Sequence, residues 1–188
     1  SHLVPVLALA ILLAWTVRFF RVVVEVGIVN FSLARSLVLG MMLMGAVSLV
    51  ICVLLWRRGR SKETAEVEPT HNPFELGDAI KFGGLFAVVM FVASAAQAYF
   101  GDTGLYFAGA LAGLTDVDAI ALSMADLAKQ DPASSGAAAR TIVIAVISNT
   151  MVKSGMVIWL GAKSMRRTMI PITVALALAG AVAFYFVG

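Results

Sequence analysis

The chain has 188 residues, of which 61% are hydrophobic and only 13% charged, with a net charge of +3. A soluble domain is nearer half apolar and a quarter charged, so this surface could not be wetted all round. The composition excludes a soluble enzyme, a nucleic-acid-binding module and a disordered chain, and it specifies an integral membrane protein.

The apolar runs predict an all-α helical bundle of about six transmembrane spans, each of ~20 residues. The chain opens Ser1-His2 without an initiator Met, which reads as a cleaved-tag remnant ahead of a fragment of a longer protein. The first span is expected over 3–28. The second is expected over 36–56, stopped by Arg57, Arg58, Arg60 and Lys62. Cys52 lies inside that second run, and a single cysteine allows no intrachain disulfide.

The polar loop that follows ends in Asn72-Pro73-Phe74-Glu75, where Asn72 can cap a helix, Pro73 suits its first position and Glu75 reaches back as a capping-box acid. A third span is expected over 76–99, then a tight turn at Gly101-Asp102-Thr103-Gly104. The fourth covers 105–127. Asp131-Pro132 is a second cap before a fifth span over 137–160. Lys163, Arg166 and Arg167 mark that span's end, and a sixth over 169–187 closes the chain. Six crossings put the chain start, the loop after Arg57 and the 129–136 loop on one face. Arg35, Lys163, Arg166 and Arg167 fall on the other.

A charge at the bilayer centre costs about 2.5–3.5 kcal/mol on insertion scales, so it needs a partner or a wet cavity. In Leu114-Thr115-Asp116-Val117-Asp118, Asp116 lies eleven residues, or ~17 Å, into its helix, near the midplane. Asp116 and Asp118 point about 200° apart on a regular helix. Either they face different neighbours, or the helix is broken near Asp116 and both converge, which Gly109 and Gly113 would ease. Two carboxylates beside the Thr115 hydroxyl suit a hard cation or a shuttled proton.

In the fifth span Asn149 and Lys153 lie on one face at mid-depth, where Lys153 can neutralise an aspartate and Asn149 offers a carbonyl oxygen. In the first span Arg18, Arg21 and Glu25 form a stripe. These groups balance, with Arg18, Arg21 and Lys153 against Glu25, Asp116 and Asp118. The Gly109–Gly113 spacing and Ala175, Ala179 and Ala183 permit close helix contact within a chain or in a homodimer.

These motifs resemble a membrane domain of unknown function found C-terminal to an MgtC/SapB domain. The resemblance rests on Phe19-Phe20-Arg21-Val22 with Glu25, on Asn72-Pro73-Phe74-Glu75-Leu76 and on Gly101-Asp102-Thr103-Gly104-Leu105-Tyr106. Gly113-Leu114-Thr115-Asp116-Val117-Asp118-Ala119 and Ser148-Asn149-Thr150 complete it. It implies a multi-pass bacterial or archaeal inner-membrane protein linked to magnesium or other divalent-cation homeostasis.

The resulting expectation is a non-enzymatic transporter or channel for a small, Mg-like divalent cation, with proton coupling as one option. Asp116, Asp118 and Asn149 would hold the metal, and Thr115, Lys153, Arg21 and Glu25 would surround it. The lipid bilayer and a small cation are the expected partners, and no resident cofactor is called for. Two alternatives stand beside it: a non-transporting scaffold or sensor that anchors a partner domain, and a transporter of an anionic or organic solute bound by Arg21 and Lys153.

Overall fold

A computed structural model describes residues 3–59 and 105–187. The expected third span at 76–99, with its Asn72 cap and the turn at 101–104, lies outside the described residues. Among the described residues all regular structure is helical.

Helices α1 (Leu3–Val29) and α2 (Phe31–Gly59) form an antiparallel hairpin about the single residue Asn30. The Asn30 Oδ1 accepts from the Leu33 backbone N–H at 3.1 Å, which satisfies one of the donors a helix start leaves orphaned. With that cap α2 begins at Phe31, five residues before the expected start at 36. The two helices are tied at mid-length. The Thr16 hydroxyl donates to Ser48 Oγ at 2.9 Å, and Ser48 donates to the Leu12 carbonyl at 3.1 Å.

The fourth expected span is broken, as Gly109 and Gly113 allowed. It consists of α3 (Leu105–Thr115) and α4 (Val117–Gln130), separated by Asp116 in an extended conformation with φ −146° and ψ 131°. A short 3-10 turn (Pro132–Ser134), capped by the Asp131 side chain through the Ala133 N–H at 3.1 Å, leads into α5 (Ser135–Leu160). The last helix, α6 (Lys163–Phe186), starts earlier than the sixth run suggested and carries Pro171 inside it, which membrane helices tolerate. Gly161 and Ala162 make the tight reversal between α5 and α6, and Arg166 Nη2 donates to the Trp159 carbonyl at 3.0 Å near the end of α5.

The direction of α3 follows from two glycines. A Cβ on Gly109 would stand 2.6 Å from the Thr141 methyl, and one on Gly113 would stand 2.7 Å from Ala145 Cα. Steps of four on α3 therefore match steps of four on α5 in the same sense, so the two helices run parallel. The ring contacts agree, because Phe184 of α6 packs against both Tyr106 and Arg140. Helix α4, joined to α5 by the short turn, must run against it.

The pair α3–α4 therefore enters the bundle and leaves by the same face, with Asp116 at its tip. Ala145, level with Gly113, lies ten residues (~15 Å) from the start of α5 and fifteen (~22 Å) from its end. The tip stops near the middle of the bundle. This corrects the expected single crossing at 105–127, and it also corrects the sidedness. The 131–134 turn lies at the same end as Arg35, whereas Lys163, Arg166 and Arg167 lie at the end that holds Arg57.

Helices α1, α2, α5 and α6 are each long and apolar enough to cross a membrane. Their outward faces carry exposed Val, Leu and Ile, including Val17, Val24, Leu39, Val53 and Leu178. Exposed Trp56 and Trp159 mark one end, and Phe31, Tyr106, Tyr185 and Phe186 mark the other, as interfacial girdles do. The protein is a helical membrane bundle.

Candidate functional site

The break at Asp116 organises the site. An extended residue turns the next N–H away from the carbonyl four residues back, so the Gly113 oxygen needs another donor. Asn149 of α5 provides it through Nδ2 at 2.7 Å, and Ser148 donates to the Ala110 carbonyl at 2.7 Å. Asn149 is 1% exposed and its Oδ1 in turn accepts from Arg18 Nη1 of α1. One buried amide thus joins α3, α5 and α1.

At the start of α4 the Asp116 side chain accepts from the Asp118 N–H at 3.2 Å, capping the helix end where the macrodipole favours negative charge. Thr115 turns its hydroxyl back to the Ala112 carbonyl at 2.8 Å. Asp118 projects to α1, where its Oδ2 accepts from Arg21 Nη2. The same guanidinium holds Glu25 Oε1 through Nε at 3.1 Å. Arg21 is therefore shared by two carboxylates. Their second oxygens, Glu25 Oε2 and Asp118 Oδ1, are buried without a hydrogen-bond donor among the described residues. The side chains of Glu25 and Asp118 are 24% and 29% exposed, and that of Arg21 is 50% exposed.

Lys153 lies one turn beyond Asn149, within electrostatic reach of Arg18, Arg21, Asp116 and Asp118. The charged residues of the three sequence motifs, on α1, the hairpin tip and α5, therefore meet in one cluster. Their roles differ from the expected ones. The arginines of α1 engage Asp118 and Asn149, whereas Lys153 makes no ion pair among the described residues. No group of three His, Cys, Asp or Glu side chains that could hold a metal ion occurs among the described residues. Arg18 is the residue that sequence reasoning underused. Its place in the Arg18–Arg21–Glu25 stripe was visible, but its partner Asn149 is 131 residues away.

Fold and site define a polytopic membrane protein with a helical hairpin that turns back at mid-depth against a partly buried charge cluster. The chain belongs to the family described as "Domain of unknown function (DUF4010)", which matches residues 1–161. It is similar to an "Uncharacterized protein" of Aquifex aeolicus (strain VF5). The two are 32% identical over 167 residues, covering 88% of this chain and 73% of the relative. No solved structure matches the chain.

Proposed function

We propose that the protein transports a small cation in exchange for protons, with Glu25 and Asp118 as the groups that alternate between ion and proton. The observation that supports this reading is the sharing of Arg21. The two carboxylates divide one guanidinium between them, and each retains a buried oxygen with no hydrogen-bond donor among the described residues. Such groups at membrane depth mark ion pathways and proton relays, and irregular backbone at that depth is tolerated where it is enclosed by protein or lines a cavity.

In this reading Asp116 and Asn149 shape the tip, since Asp116 caps α4 and the Asn149 amide is engaged at both ends. A divalent ion such as Mg²⁺ would need Asp116 to join Asp118, whereas a monovalent ion or a proton needs only one of the carboxylates that share Arg21. The resemblance to the domain that follows MgtC/SapB domains supports a link to cation homeostasis.

The test is flux in proteoliposomes with a pH-sensitive dye inside, across Mg²⁺, Mn²⁺, Na⁺ and K⁺ gradients. Glu25→Gln and Asp118→Asn are expected to abolish cation-driven proton movement while the protein still folds. Unchanged flux in both variants would sink the proposal. One observation favours a second reading, an anionic solute: Lys153 is a cation without an ion pair among the described residues, beside two arginines. That reading expects Lys153→Gln to abolish flux of an organic anion and expects indifference to the cation series.

A further inference from the structure

The two ends of the bundle differ in charge, and the reversal at Asp116 is what sorts them. Gly40 of α2 packs on Ala183 of α6 and on Val187 just beyond it, and Gly180 of α6 lies against Met44, so the two helices run antiparallel in a fixed register. That register carries Arg57, near the end of α2, to the level of Arg167 near the start of α6. Arg57, Arg58, Lys163, Arg166 and Arg167 therefore gather at one end, with no Asp or Glu among the described residues there. At the other end Arg35, Lys129 and Arg140 are offset in part by Asp126 and Asp131, leaving a much smaller net charge there. Had 105–127 crossed the membrane, Lys163, Arg166 and Arg167 would lie opposite Arg57 and the two ends would be nearly matched.

We propose that the basic end faces the cytoplasm, seated on the anionic headgroups of that leaflet, and that the α3–α4 hairpin is inserted from the opposite face. Charge complementarity identifies the partner. Lys and Arg next to membrane spans are enriched on the cytoplasmic side, where anionic lipids attract them. Trp56 and Trp159, exposed at the same end, supply the interfacial aromatic anchors. The inference stands on packing and charge alone and is independent of what crosses the bilayer.

The experiment is cysteine accessibility in intact cells, in the full chain with Cys52→Ala. Ala133→Cys reports the 131–134 turn and Ser164→Cys reports the start of α6; both parent side chains are exposed. With a membrane-impermeant maleimide, Ala133→Cys is expected to label from outside and Ser164→Cys only after permeabilisation. Ser32→Cys, exposed just after the Asn30 turn, lies at the same end as Ala133 and is expected to label with it. Labelling of those two from opposite faces would overturn the hairpin, and labelling of Ser164→Cys in place of Ala133→Cys from outside would overturn the orientation. In the Ser164→Cys chain, replacing Arg57, Arg58, Lys163, Arg166 and Arg167 with Gln is expected to yield a mixed population, part of it labelled from outside. Full protection in that variant would show that the basic end does not set the orientation. The three α6 replacements alone, which leave α2 intact, are expected to give a smaller externally labelled fraction, and full protection there too would count against the proposal.

Discussion

The side-chain amide of Asn149 donates to the carbonyl oxygen of Gly113 at 2.7 Å, across 36 positions of sequence, at the place where the backbone leaves its helix. Asn149→Leu keeps the volume and removes both the donor to Gly113 and the acceptor for Arg18. Leaving buried polar groups without partners costs about 1–3 kcal/mol, so the variant should unfold at lower denaturant or temperature in detergent. A melt indistinguishable from wild type would mean that the break holds itself without this amide.

Close approach of α3 to α5 depends on the bare backbone of Gly113. Gly113→Ala places a methyl against Ala145 main-chain atoms, which cannot swing aside, and overpacking of this kind costs about 1–3 kcal/mol. Gly155→Ala is the matched control. A Cβ there meets nothing within 4 Å among the described residues. Thermal melts should separate the two glycines clearly; helix propensity favours Ala at both positions, so equal loss at both would show that close packing of α3 on α5 does not set the cost.

Arg21 and Asp118 should show coupling in a double-mutant cycle. Each single change, Arg21→Gln or Asp118→Asn, leaves the cluster with one unmatched charge, whereas the double variant restores balance. Because Arg21 is half exposed, the coupling expected from unfolding measurements is about 0.5–1 kcal/mol. Strict additivity would show that the pair does not form in the folded protein.

The hydroxyls of Thr16 and Ser48 form the polar tie between α1 and α2, and both are buried. Thr16→Val should cost about 1 kcal/mol, in line with hydrogen bonds between membrane helices. Thr16→Val with Ser48→Ala should cost less than the two single changes together, since no partner is then left unsatisfied. Equilibrium unfolding of the four proteins checks both statements.

The apolar runs carried most of the architecture. Spans α1, α2, α5 and α6 follow from long stretches rich in Val, Leu, Ile and Ala, and the Asp131-Pro132 cap reads correctly from residue type alone. The break at Asp116 is legible in Gly109, Gly113 and the two aspartates. The change of direction is not, for a physical reason. Hydropathy registers the length of an apolar run, and 105–127 is long enough to cross. One extended residue reverses the chain without changing the composition. The deciding fact is which side of α5 receives Gly109 and Gly113, and that is a long-range contact. The same holds for the site. Membership of Asp118, Asn149, Arg21 and Glu25 is visible from mid-depth polarity, whereas the choice of Arg18 for Asn149 and Arg21 for Asp118 depends on how α1 packs.

The shape of the hairpin also constrains how the protein is made. Helix α3 has 11 residues and α4 has 14, or ~16 Å and ~21 Å, so neither half can span a ~30 Å hydrocarbon layer on its own. Both lean on α5, and α5 is synthesised last of the three. The ribosome must therefore deliver α3 and α4 before the helix that gives them carbonyl partners and a packing face. Until Ser148 and Asn149 arrive, the tip has an unpartnered Gly113 oxygen and two carboxylates to shelter. Completion of the bundle is thus a late docking step, set by the emergence of α5 and not by the order in which apolar segments leave the translocation machinery.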